Sequence, residues 1–312
     1  MTLDAYLDQW LPLARARVRP TTWRAYDAIC RAHLRPQLGS CRIGDLTVHQ
    51  LNLHFVHLLR QGGRRGGPLT HKTLANTHSV LHTALADAVR EGRLGDNVAT
   101  RVTLPKHDPD GDLRPATLRT WDAPQVARFL ELTADHPLHD LWRVALATGM
   151  RRGELLGLAW EDVDLDDEPQ LRVRRSLSHV GGSYQLSPTK TGRSRVLAID
   201  HDTAEVLRRQ PRPSTTDWPL VFTRPDGLPI HPHHLTDRWR RQWPRLDLPK
   251  LTFHGLRHCH ACLLLDQGVP ITVVSQRLGH ASVMMTMNVY AHVLPAQDHA
   301  AADAIGRALG NP

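Results

Sequence analysis

The stretch LTFHGLRHCHACLLLDQGVPITVVSQRLGHASVMMTMNVYAHV, residues 251–293, decides how the rest of the chain is read. It sets His254 and Arg257 three positions apart at a helix start after Thr252, then Gly279-His280, then Tyr290 ten positions on. Residues three apart on a helix address one ligand together. Each of these groups suits a phosphodiester under attack. Arginine grips non-bridging oxygens in a planar fork. Histidine donates hydrogen bonds or moves a proton near neutral pH. Tyrosine can act as a covalent nucleophile. His258 falls elsewhere on the helix and suits a structural hydrogen bond. Tyr290 also fits an amphipathic core position, as Tyr6 and Tyr26 do on their apolar stripes.

Working upstream, Thr148-Gly-Met-Arg151-Arg-Gly-Glu154 puts Arg151 at a turn-to-helix junction, where anions are favoured. Glu154, one turn on, is placed to hold that guanidinium, as a surface ion pair or as part of a site. Lys190 sits in Pro188-Thr-Lys-Thr-Gly-Arg, a turn, as a solvated charge or as a proton donor beside phosphate. His258, Cys259, His260 and Cys262 lie close together, but a single Cys-x-x-Cys pair is a weak zinc signal, and the two cysteines fit a buried helix face better. No metal site is expected.

Composition narrows the class. The 312 residues are 41% hydrophobic and 22% charged, ordinary for a globular chain, and suggest two domains. No apolar run approaches a membrane span. The first ten residues, MTLDAYLDQW, do not read as a signal peptide. Four cysteines make no disulfide framework, so a reducing cytoplasm is the expected compartment. The net charge of +8 is unevenly spread: residues 1–107 hold 15 Lys+Arg against 7 Asp+Glu, and residues 108–312 hold 24 of each. A basic module joined to a neutral one points to nucleic acid; the other reading is a charge that serves solubility alone.

Residues 1–107 read as a bundle of four or five helices. The first carries Leu3, Tyr6, Leu7, Trp10 and Leu11 at helical spacing. The second runs from Thr21 toward Leu34, ended by Pro36 and Gly39; the third covers Thr47–Leu59 and the fourth Thr70–Arg90. Between the last two, QGGRRGGP (residues 61–68) is a flexible basic loop. Arg64 and Arg65 in it, with Lys72 just beyond, are the candidate DNA contacts. Residues 104–117, rich in Pro, Asp and Gly, read as a linker. Beyond it come helices from Pro124, from His139 and from Arg151. Leu171–Leu177, Tyr184–Ser187 and Arg195–Ile199 then read as a three-stranded antiparallel meander, followed by more helices. The fold class expected is mainly α with a small antiparallel β-sheet.

Four segments, TGMRRGELLGLAWEDVDL, TKTGRSRVLAI, LTFHGLRHCHA and LGHASVMMTMNVYAHV, occur in the order seen in the tyrosine recombinase (phage integrase) family, and together the chain resembles that family. THKTLANTHSVLHTALADAVREGRL resembles its core-binding domain, so the likeness spans nearly the whole chain. One departure is Asn97-Val98-Ala99, where Asn-Pro-Ala is usual.

The resemblance implies a helical core-binding domain over residues 1–107, a linker over 108–118 and an α+β catalytic domain over 119–312 with a C-terminal helix at 294–309. It implies a catalytic set of Arg151, Lys190, His254, Arg257, His280 and the nucleophile Tyr290, supported by Glu154. The implied reaction is site-specific recombination of double-stranded DNA through a 3′-phosphotyrosine, with no cofactor. The implied partners are DNA sites, other copies of the chain in a tetrameric synapse, and accessory directionality or DNA-bending proteins; no membrane is involved, and a nucleoid-associated cytoplasmic location follows. The rival readings are a type IB topoisomerase and a DNA-binding regulator without catalysis.

Overall fold

A computed structural model describes residues 1–63, 66–105, 120–189, 192–212, 218–242, 246–290, 303 and 305–310. Arg64, Arg65, the linker 108–118, Lys190 and most of the expected helix at 294–309 lie outside the described residues. The chain divides into two compact units, Met1–Ala116 and Thr117–Pro312.

The first unit is built on α1 (Leu3–Arg17), α2 (Pro20–Ile29), α3 (Arg35–Leu38), α4 (Val48–Gln61) and α5 (His71–Arg90). Thr2, Thr47 and Thr70 cap α1, α4 and α5 by accepting a backbone N–H three residues on. The buried stripe of α1, Leu3, Tyr6, Leu7 and Trp10, meets Leu81, Ala84, Leu85 and Ala88 of α5 in one core. Its polar atoms are met inside it: the Tyr6 hydroxyl donates to the Ala84 carbonyl at 2.8 Å, and Trp10 Nε1 donates to Asp87 at 2.7 Å. The second helix does not stop before Pro36. It passes through one wide π turn, Cys30–Leu34, and resumes as α3. Proline lacks an N–H and clashes with the carbonyl four residues back. In the π turn Arg35 N donates five residues back, to Cys30 O, and this widening accommodates Pro36 without ending the helix. Asn97, at the departure from the usual family pattern, caps a short 3₁₀ turn by accepting from Ala99 N at 3.1 Å.

The second unit begins with α6 (Ala123–Leu132), opened by a reciprocal capping box between Asp122 and Gln125. Then follow α7 (His139–Thr148), α8 (Arg152–Leu156), five short strands, α9 (His201–Arg208), α10 (Pro232–Gln242), α11 (Phe253–Asp266), α12 (Ile271–Leu278) and α13 (Val283–Tyr290). Trp121, Phe129, Trp142 and Trp239 interlock with ring centroids 5.0–6.1 Å apart, and Phe253 of α11 packs perpendicular to Trp239 at 5.8 Å. This aromatic core seats the start of α11, and Trp121 N donates to Cys259 Sγ at 3.1 Å.

The strands do not form one meander. β1 (Val163–Asp164), β2 (Gln170–Val173) and β5 (Arg195–Ala198) make an antiparallel sheet in the order β1-β2-β5, while β3 (Arg175–Val180) and β4 (Ser183–Pro188) make a separate hairpin. Leu171 pairs with Leu197, and Leu177 with Leu186. The break falls at Arg174, whose Nε lies 2.5 Å from the buried Asp162; Arg175 holds the same carboxylate at 3.2 Å. Two adjacent arginines fastened to one buried acid turn the chain out of the first sheet.

Candidate active site

The site forms where α7, α8, α11 and α12 meet, and two left-handed glycines shape it. Gly149 ends α7 at φ 61° and Gly279 ends α12 at φ 64°. That conformation costs a side-chain-bearing residue energy and suits glycine. It leaves the last carbonyls of each helix facing inward, at the negative end of the helix dipole.

Arg257, on the first turns of α11 and only 3% exposed, uses these carbonyls. Its Nη1 donates to Gly149 O at 2.7 Å and its Nη2 to Leu278 O at 2.6 Å. Arg151, the N-cap of α8, donates from Nη2 to Gly279 O at 3.1 Å and from Nη1 to Glu154 Oε1 at 2.7 Å. The two guanidiniums are therefore seated on consecutive carbonyls, Leu278 and Gly279. Arg151 keeps 24% of its side chain exposed.

Glu154 is 1% exposed. Burial alone would raise its carboxyl, but the hydrogen bond and charge of Arg195, then the charge of Arg151, outweigh this and hold it below the ordinary carboxylate range. It stays ionised and fixes Arg151.

His254 lies one turn before Arg257, exposed at the surface. Lost hydration on its packed side, with the charges of His258, Arg257, Arg151 and Arg152, lowers its pKa to about 4. Solvent at the open side opposes that loss, so the direction, toward neutral imidazole, is what the surroundings dictate. His258 is not turned away from His254. It lies one full turn on, its ring edge-to-face against His254 with centroids 4.9 Å apart. His280 has a pKa lowered to about 4 by burial, then by Arg257, Arg151, His258 and His254. Its Nδ1 shares a 2.8 Å hydrogen bond with the fully buried Thr286 hydroxyl, which ties it to α13. Tyr290 closes that helix, one turn beyond Thr286.

The fold thus brings Arg151, Glu154, His254, Arg257 and His280 into one neighbourhood, with Tyr290 on the adjoining helix. Lys72 is exposed at the start of α5 in the first unit. His260 fastens α11 to α7: its Nδ1 donates to Leu146 O at 2.8 Å. Among the described residues no group of three or more His, Cys, Asp or Glu is arranged to hold a metal ion. No described helix is long and apolar enough to cross a membrane.

Reading of the sequence missed Arg195. Its signal was a charge two positions before Leu197, hence on the inward face of a strand, where a charge needs a partner. Gly149 and Gly279 were legible as turns, and they end α7 and α12 as left-handed caps, but that their neighbouring carbonyls seat the two arginines was not.

The phage integrase family model matches residues 119–297, and an N-terminal SAM-like domain model of phage integrases matches residues 2–56. The chain belongs to the phage integrase family. It is 30% identical to the tyrosine recombinase XerC of Mycobacterium sp. (strain KMS), over 96% of this chain and 97% of that relative. The ICEBs1 integrase of Bacillus subtilis is 24% identical, over 91% of this family member and 77% of its relative. The fold is that of the Tn1549 transposon integrase in complex with a circular intermediate DNA, with a TM-score of 0.79 at 21% identity, covering 93% and 95% of the two chains. A lambda integrase from a tetramer bound to a Holliday junction shares it at a TM-score of 0.67 and 19% identity, covering 90% and 78%.

Proposed function

We propose that this integrase is a site-specific DNA recombinase that cuts and rejoins strands through a covalent bond to Tyr290. The observation that carries the reading is the pair of guanidiniums, Arg151 and Arg257, seated on consecutive carbonyls at the end of α12 beside two neutral histidines. Such a pair matches the two non-bridging oxygens of one phosphodiester and stabilises the charge of a five-coordinate transition state.

Tyr290 Oη attacks phosphorus and the bond to the 5′ oxygen breaks, leaving a 3′-phosphotyrosine and a 5′ hydroxyl. His254 takes the phenol proton. Its neutral state suits an acceptor, and an incoming phosphodiester adds the negative charge that strengthens it as a base. Lys190 gives a proton to the departing oxygen, and His280 hydrogen-bonds the phosphoryl group. A 5′ hydroxyl from another strand then reverses the reaction on a new partner. The ester energy stays in the phosphotyrosine, so rejoining needs no other energy source.

In this reading residues 1–107 are the DNA-holding domain, with Arg64, Arg65 and Lys72 on the backbone, residues 108–118 the linker, and 119–312 the catalytic domain. Four copies assemble on paired sites, with accessory proteins setting direction, on DNA in the cytoplasm. The segment 294–309 docks on a neighbouring copy.

The test is covalent capture on nicked duplexes from the DNA flanking the gene. The wild-type protein forms a denaturant-stable adduct and Tyr290→Phe forms none. An equal yield from Tyr290→Phe sinks the assignment. Relaxation of plasmid with no recombinant product from paired sites shows a topoisomerase instead.

A further inference from the structure

Arg195 opens β5 and is 11% exposed at its side chain. Its Nη2 donates to Glu154 Oε2 at 2.7 Å, while Oε1 of the same carboxylate accepts from Arg151. Its Nε donates to Arg277 O at 2.7 Å, two residues before the Gly279 carbonyl that Arg151 holds. The bonds close a ring: Arg195 to Glu154, Glu154 to Arg151, Arg151 to Gly279, and back along the chain through Arg277 to Arg195. β5, α8 and the end of α12 each contribute a side. Both Nη atoms of Arg277 donate to Ala198 O at 3.2 Å, so β5 and α12 each grip the other's backbone. Gly279 lies against the ring, for a Cβ there would meet Arg195 Nη1 at 2.9 Å.

We propose that Arg195 is a positioning residue for strand cleavage. It sets the carboxylate that aims Arg151, and it fixes the α12 cap that carries Gly279 and His280, so that the clamp and His280 are placed as one unit. The inference rests on the recombinase reading above. Nε and Nη2 of Arg195 are engaged within the protein, by Arg277 O and Glu154, so its loss acts on the rate of the bound complex. Lysine cannot replace it fully, because one ammonium nitrogen would stand for two nitrogens that now hold acceptors on different elements.

The test uses the full-length protein, nicked duplexes recovered by covalent capture on wild type, and histidine NMR of the protein without DNA. In Arg195→Gln, single-turnover cleavage at saturating duplex falls by about tenfold or more, while duplex Kd moves by less than about threefold; Arg195→Lys recovers only part of the rate. The His280 ring titrates higher than in wild type, because Arg151 leaves Gly279. A folded Arg195→Gln with wild-type cleavage and unmoved His280 overturns the proposal, as does a loss that disappears at saturating duplex. Should Arg195→Gln not fold, Arg195→Lys decides, a wild-type rate overturning the proposal and a reduced one supporting it. Should the wild type capture no DNA, the recombinase reading falls, and the His280 titration still decides whether Arg195 sets the cap.

Discussion

Arg257 is held by backbone: its two terminal nitrogens each donate to a carbonyl at a helix end, bonds that no protonation of the acceptor breaks near neutral pH. Arg257→Lys keeps the charge and loses the fork. Single-turnover cleavage is expected to fall by about 100-fold or more, with duplex affinity changed by less than about fivefold; a fall within tenfold, by the same assay, shows that the fork is not what matters. The buried histidines make a second prediction. His260 and His54 are 5% and 4% exposed, and burial lowers each pKa to about 4 from 6.5. The folded state therefore holds them neutral while the unfolded chain takes up protons below pH 6.5. Their contribution is intact above that value and is lost as pH falls toward 4. At about 1.4 kcal/mol per pKa unit, each removes roughly 2 kcal/mol by pH 5. Glu154 has the opposite sign, a depressed carboxyl whose contribution is lost only below its unfolded value of 4.5. Melting temperature measured at pH 7, 6 and 5 is expected to fall steadily, and a flat profile would falsify this account.

Elements differed in how plainly the sequence announced them. α1, α4 and α5 were legible because apolar spacing and capping threonines agree with the packing they meet. The strands were legible as strands but not as partners. Alternation marks a pleated segment, yet the switch at Arg174 from one sheet to another depends on a buried Asp162 that no period reveals. Likewise the candidate site residues were legible as groups suited to a phosphodiester, while the ring through Arg195 was not, since it joins residues 41 and 128 positions apart. The helix ends carry the testable part of this. Gly279 and Gly268 both have left-handed backbone, at φ 64° and 73°, but only Gly279 has a neighbour, Arg195, where a Cβ would stand. Gly268→Ala is expected to cost only the conformational strain, about 1 kcal/mol, and to leave cleavage within about twofold. Gly279→Ala adds displacement of Arg195, so it melts lower than Gly268→Ala and cleaves at least about tenfold more slowly. Equal effects of the two substitutions, by melting and single-turnover cleavage, would mean that the cap does not transmit to the site.

Over the whole molecule, charge and chemistry are divided. The clamp lies within the second unit, and each of its cations is matched by a carboxylate or a helix-end carbonyl. By formal charge residues 108–312 are neutral overall, whereas residues 1–107 carry the entire excess of +8. In the proposed reading a neutral catalytic unit gains little from long-range attraction to DNA, and a basic unit attached to it supplies that attraction and raises the local concentration of duplex. Binding driven by phosphate neutralisation releases counterions, and the logarithm of affinity then falls linearly with the logarithm of salt, by about 0.9 per phosphate contact. Full-length protein on a random duplex is expected to show a steep slope. Arg64→Gln with Arg65→Gln should reduce it by about 1 to 2 and weaken random and captured duplexes by the same factor, since backbone contacts carry no sequence information. Titrations of both duplexes between 50 and 200 mM salt, about the range over which counterion effects are large, measure this directly. An unchanged slope in the double variant would assign the basic loop to solubility and place the grip elsewhere in the first unit; a loss confined to the captured duplex would make Arg64 and Arg65 readers of base sequence.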